Sequence, residues 1–203
     1  MPKLAVLGGS FNPIHRGHLL MAETALKQVN LDRVIWVPAY HPPHKQSDKL
    51  ADFQHRFEMV KQAIAPYPAF SLSSVDQNRP GSSYAIDTLL DLQICYPDSQ
   101  WYWIGGLDAF ASLPRWYRRQ ELAAQCSWLV APRSGQSVAA IGQQVAQQMA
   151  AQSIKIDWQI LQMPLVEISS SLVRQYCRDR RSIQALVPKS VEDYIFTHDL
   201  YRF

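Results

Sequence analysis

The sequence predicts one α/β domain, a parallel sheet doubly wound by helices on its two faces. Strand-like apolar runs alternate with segments of helical apolar spacing almost throughout, the pattern of right-handed β-α-β units. The length of 203 residues suits a single compact unit spanning 1–203, with a small helical part at about 168–203. A hydrophobic fraction of 47% is enough for a core, and no repeat or clear linker divides the chain.

Each element follows in order. Residues 3–7 read as the first strand, and residues 17–29 carry helical spacing at Leu20, Ala22, Leu26 and Val29. Arg33–Val37 is a second strand closed by Pro38. A Pro/His loop then leads to a helix over 51–65 and a short strand near 70–75. A helix begins around Tyr84, after the turn signal RPGSS. Trp101–Ile104 and Trp128–Ala131 are strands, and Trp101, Trp103 and Trp128 belong in the core. The Gln/Ala-rich segment 134–153 reads as a solvent-facing helix with little chemistry. A strand around 159–161 precedes a short helix opening near Ser170 and a last helix after Pro188. His55, Arg56 and Met59 read as packing and surface positions, and the tail LYRF as part of a terminal helix that docks on the domain.

Composition narrows the function. With 18% charged residues and a net charge of +3, the chain suits an enzyme for small anions. It lacks the dense basic stripe of a nucleic-acid binder. Cys95, Cys126 and Cys177 are odd in number and widely spaced, so they predict free thiols rather than a disulfide framework or a zinc knuckle. The first residues enter a strand directly and no 18-residue apolar run occurs, which predicts a cytoplasmic protein without membrane attachment. A homo-oligomer is compatible with this chain.

Two stretches carry phosphate chemistry. The first is GGSFNPIHRGHLL, beginning at Gly8. Here a strand stops at Gly8-Gly9, and His15 and His18 sit three apart where the next helix starts. Helix amino termini present unpaired N–H groups and the positive end of the dipole, and glycine lets a backbone approach an anion closely. The second is EISSSLVRQYCR, from Glu167 to Arg178. Ser169 or Ser170 would cap the helix, and Arg174 lies one turn in, where its fork can donate two charge-assisted bonds to phosphate. Three further segments stand between them: HPPHK with His44 and Lys45, RPGSSYAIDTL at 79–89, and IGGLDAFASLPRWY at 104–117.

Taken together, these motifs resemble the nucleotidyltransferase superfamily, with its Rossmann-like fold and its H-x-G-H and I-S-S-S-x-x-R elements. They are similar in particular to the bacterial nicotinate-nucleotide adenylyltransferases, and the resemblance covers almost the whole chain. It implies ATP binding by Gly8, Gly9, Ser10, Phe11, His15, His18, Gly105, Asp108, Ile168, Ser169, Ser170 and Arg174. Of these, His15, His18 and Arg174 are the catalytic candidates. Asn12, His44, Lys45, Ser83, Tyr84, Thr88, Trp116 and Tyr117 are the implied acceptor contacts, with Trp116 stacking on the pyridine ring. The wider superfamily often has Asp where Asn12 stands, so no carboxylate role transfers to that position. Mg²⁺ is expected on the triphosphate, held mostly by phosphate and water oxygens.

The implied reaction is transfer of the adenylyl group of ATP to nicotinate mononucleotide, a step of NAD biosynthesis. The alternatives are another acceptor (nicotinamide mononucleotide or phosphopantetheine) or a nucleotide-binding regulator without activity. Intact His15, His18, Ser170 and Arg174 argue against the regulator.

Overall fold

A computed structural model describes residues 1–43, 50–135 and 137–202, apart from the side chain of Asn78. Six parallel strands form one sheet: β1 (Lys3–Gly9), β2 (Arg33–Pro38), β3 (Phe70–Leu72), β4 (Gln100–Gly106), β5 (Ser127–Ala131) and β6 (Trp158–Ile160). Their spatial order is β3-β2-β1-β4-β5-β6. Eight helices connect and cover them: α1 (Arg16–Gln28), α2 (Phe53–Ile64), α3 (Ala85–Cys95), α4 (Leu107–Ser112), α5 (Arg119–Gln125), α6 (Val138–Ala150), α7 (Ser170–Arg178) and α8 (Lys189–Thr197).

Successive strand residues serve opposite layers, as the period of two requires. On β1, Ala5 and Leu7 join Trp36, Ile104 and Leu129 in the core beneath α1, α2, α7 and α8. Leu4 and Val6 join Ile35, Trp103 and Trp128 in the core beneath α3 to α6. Both faces are covered, which is why the strands read as continuous apolar runs. The chain turns outward in opposite directions from the neighbouring strands β1 and β4, so a crevice opens at their carboxyl ends.

Several elements differ from expectation. Gly8 and Gly9 still pair with Val37 and Pro38, so they end the strand rather than form the turn. The strand expected near 70–75 closes at Leu72, and a 3₁₀ turn follows at Val75–Asn78. The short helices α4 and α5 were not foreseen. The Gln/Ala-rich helix α6 buries Val138, Gly142, Val145 and Met149 along one face. A Cβ on Gly142 would sit 2.0 Å from the Trp158 ring, so glycine is what lets α6 approach β6. The last helix stops at Thr197, and the tail beyond it reaches Asn12 through Tyr201. Among the described residues, no helix is long and apolar enough to cross a membrane.

Candidate active site

The crevice at the ends of β1 and β4 is a cleft of about 1340 Å³, large enough for two nucleotides rather than one small ligand. One wall is the loop from β1 into α1. Phe11 takes φ +44 there, a conformation costly for a bulky residue and held by burial of its ring against Trp36 and His18. A Cβ on Gly9 would meet that ring at 3.2 Å, and one on Gly17 would meet the His15 imidazole at 3.1 Å. Glycine at these positions keeps the loop close to whatever occupies the cleft.

His15 is the residue before the first turn of α1, and its ring stacks on His18 with centroids 3.6 Å apart. The backbone N–H of His15 donates to His18 Nδ1 at 3.2 Å. In the neutral form, His18 therefore carries its proton on Nε2, as a donor. His15 is almost fully buried and, among the described residues, its Nδ1 has no hydrogen-bond partner; burial pushes its pKa down to about 4. It is neutral near pH 7.

The start of α7 forms the facing wall. Ser169 is the cap, accepting from the Leu172 N–H at 3.1 Å. Ser170 Oγ donates to the Pro13 carbonyl at 2.8 Å, and Arg174 Nη1 donates to the Asn12 carbonyl at 2.7 Å. The two motifs, far apart in the chain, are thus tied directly to each other. Burial lowers the pKa of Arg174, with Arg178 adding to that shift and Tyr201 opposing it.

The rest of the cleft is assembled from separate segments. Ser83 Oγ accepts from the His41 N–H at 3.0 Å, joining the loop after β2 to the start of α3. Trp116 Nε1 donates to Ser112 Oγ at 2.8 Å, and its ring packs edge-on against Trp128 and Trp103. Tyr84 and Tyr117 pack together with ring centroids 4.5 Å apart. Arg118 bridges to Asp87 of α3 at 2.9 Å and to Glu121 at 2.6 Å, fixing the segment that carries Trp116 and Tyr117. Thr88 Oγ1 donates to the buried Asp76 at 2.7 Å, and Arg79 pairs with the same carboxylate at 3.2 Å.

Of the residues singled out in the sequence, Gly8, Gly9, Ser10, Phe11, His15, His18, Ser83, Tyr84, Thr88, Gly105, Asp108, Trp116, Tyr117, Ile168, Ser169, Ser170 and Arg174 all line this cleft. Asn12 does not. Its side chain is buried, and Oδ1 accepts from the Ala51 N–H at 3.0 Å and the Tyr201 hydroxyl at 2.9 Å. The side chain expected to contact the acceptor is thus held inside the loop. His44 and Lys45 lie outside the described residues.

Sequence reasoning missed Arg133, which lines the cleft and forms an ion pair with Asp108. The available signal was position, since a polar residue just past a parallel strand faces the crevice. Arg56, read with His55 and Met59 as packing and surface positions, is 2% exposed. Among the described residues, no group of three or more His, Cys, Asp or Glu side chains stands together to hold a metal ion.

The family model described as cytidylyltransferase-like matches residues 6–176. A probable nicotinate-nucleotide adenylyltransferase of Nostoc sp. is 53% identical over 99% of this chain and 98% of its own length. One from Trichormus variabilis is 52% identical with the same coverage. A Plasmodium falciparum nicotinic acid mononucleotide adenylyltransferase, solved in complex with NaAD, shares the fold. Its TM-score is 0.82 at 18% identity, covering 100% of this chain and 98% of that one. With the cleft built from two phosphate motifs and relatives matched from end to end, the chain belongs to the cytidylyltransferase-like family and, within it, to the nicotinate-nucleotide adenylyltransferases.

Proposed function

We propose that the cleft holds ATP between the β1–α1 loop and the start of α7, and nicotinate mononucleotide against Trp116, and joins them. The products are deamido-NAD and pyrophosphate. The observation that carries this reading is the meeting of the two phosphate motifs through Ser170 and Arg174, beside the His15–His18 pair.

An oxygen of the acceptor's 5′-phosphate attacks the α-phosphorus of ATP, a new P–O bond forms, and the bond to pyrophosphate breaks. The attacking oxygen is already anionic near pH 7, so no general base is needed. Catalysis then rests on alignment and on stabilising the charge that gathers on the leaving group. His18 Nε2–H donates to a phosphate oxygen beside the reacting phosphorus. His15, neutral and buried, supports that ring from beneath. The N–H groups at Gly9 and Ser10 receive phosphate oxygens, and Ser170 and Arg174 hold the departing pyrophosphate.

Asp108 and Arg133, paired at the mouth, are placed to meet ribose hydroxyls and phosphate. Ser83, Tyr84, Thr88 and Tyr117 form the acceptor's seat. There, backbone N–H groups donate to the nicotinate carboxylate and Trp116 presents a flat π-face to the ring. Thr88 acts indirectly, because its hydroxyl is engaged by Asp76. Mg²⁺ carried on ATP would supply charge neutralisation of the triphosphate, held mainly by phosphate and water oxygens.

The test offers purified protein ATP and Mg²⁺ with nicotinate mononucleotide, its amide or phosphopantetheine, and measures pyrophosphate release. The nicotinate form is expected to exceed the amide at least tenfold in kcat/KM. Two charge-assisted bonds to a carboxylate readily supply the ~1.4 kcal/mol that such a ratio needs. Equal values for acid and amide would remove the carboxylate seat from this account.

A further inference from the structure

We infer that Arg56 is a positioning residue that sets the separation of the two substrate seats. It lies on α2 behind the cleft, outside its lining and almost fully buried. Nη1 donates to the Ser10 carbonyl and to the Ala39 carbonyl, each at 2.8 Å. Nε donates to the Ala51 carbonyl at 2.9 Å and Nη2 to the Tyr40 carbonyl at 3.4 Å. Ser10 belongs to the loop that receives ATP phosphates. Ala39 and Tyr40 begin the loop after β2, whose Pro42 and Pro43 line the cleft beside Ser83. One rigid, planar cation therefore pins the main chain of both loops at once.

The network continues past Arg56. Ala51, whose carbonyl it holds, donates its N–H to Asn12 Oδ1, which also receives the Tyr201 hydroxyl. The Asn12 carbonyl in turn receives Arg174. Arg56, Ala51, Asn12 and Arg174 form an unbroken path from the acceptor loop to the leaving-group side of the cleft.

Stability alone explains this arrangement poorly. All four of the hydrogen bonds described for Arg56 go to carbonyls, and among the described residues no carboxylate lies within ion-pair distance. Burial depresses its pKa, which marks the desolvation of the cation, and Tyr201 and Asp52 oppose that shift. A buried cation whose described hydrogen bonds all go to carbonyls is an expensive way to hold a fold together, and well-packed apolar groups commonly do as well. Geometry is what the fork supplies. An in-line displacement depends on the distance and angle between attacking oxygen and phosphorus, and a misplacement of about 1 Å costs roughly 10²-fold.

The inference rests on the proposed adenylyl transfer, so the wild type is assayed alongside. Arg56→Lys keeps the charge and loses the planar fork. Its kcat should fall about 10- to 100-fold. The Kd of nicotinate mononucleotide alone and of a non-hydrolysable ATP analogue alone should each change less than about threefold, and the melting temperature should stay above that of the assay. Arg56→Gln, uncharged and reaching fewer carbonyls, must show the same split if the lysine variant does not fold.

An unchanged kcat overturns the inference. So does single-ligand binding that weakens in step with kcat, or failure of both variants to fold, because Arg56 would then support one seat or the fold itself. Absence of turnover in the wild type would instead strike the functional reading.

Discussion

On the proposed reading, the two halves of the cleft solve different problems with different materials. The ATP half is made of two contiguous stretches, the β1–α1 loop and the start of α7, and its contacts are largely main-chain: Ser170 to Pro13, Arg174 to Asn12, Arg56 to Ser10. The acceptor half is gathered from the loop after β2, the start of α3 and the segment from Ser112 to Tyr117. Besides the main-chain contacts of the loop after β2, it has side-chain braces, namely Arg118 to Asp87, Arg79 to Asp76 and Trp116 to Ser112. A triphosphate looks alike in every reaction that uses ATP, so compact backbone cradles serve it. A pyridine nucleotide must be told from other acceptors, and that calls for an aromatic face and a shaped wall.

The largest expected effect lies in the ATP half. His18→Ala removes one preorganised donor and should lower kcat by about 10²–10³-fold, with the Kd of nicotinate mononucleotide nearly unchanged. Steady-state kinetics with direct binding measurements would check this. Near-normal turnover would show that the stacked His15–His18 pair is architecture only.

A smaller effect separates the halves by pH. Burial holds His15 neutral in the folded protein down to about 4, whereas an unfolded chain takes up that proton near 6.5. Between these values the unfolded state binds more protons, so stability falls as pH drops through that window and stops changing below it. At pH 5 the loss is roughly 2 kcal/mol relative to pH 7. Among the described residues no other histidine is buried, so the loss should vanish in His15→Ala. Denaturant melts of wild type and variant at the two pH values would measure it. Parallel losses in the two proteins would assign the acid sensitivity elsewhere.

How legible these halves were in the sequence follows from the same contrast. Contiguous motifs carry their geometry with them. Gly8-Gly9, His15 and His18 sit at a strand end and a helix start, and Ser169 and Ser170 at a cap, so local rules placed these residues at the cleft. The strand and helix order was equally readable, because full burial on both faces gives apolar runs. What escaped was decided by tertiary contact. Helices α4 and α5, with 6 and 7 residues, are too short for periodicity to register.

Asn12 sits within the ATP motif, but a tail residue, Tyr201, and Ala51 claim its side chain. Arg56 carries no local signal at all, since its four carbonyl partners come from three separate stretches of chain. Arg133 becomes visible only when β5 is known to end at the crevice.

The division of labour itself is the central claim, and titration calorimetry on two variants tests it. Arg174→Lys, which loses the fork at the start of α7, should weaken binding of a non-hydrolysable ATP analogue about tenfold and leave nicotinate mononucleotide within about twofold. Trp116→Ala should do the reverse, weakening the mononucleotide by about 1–3 kcal/mol while the ATP analogue binds as in the wild type. A crossed pattern is the predicted result. If both variants weaken the same ligand, or each weakens both equally, the cleft is a single undivided site and the assignment of its two halves is wrong.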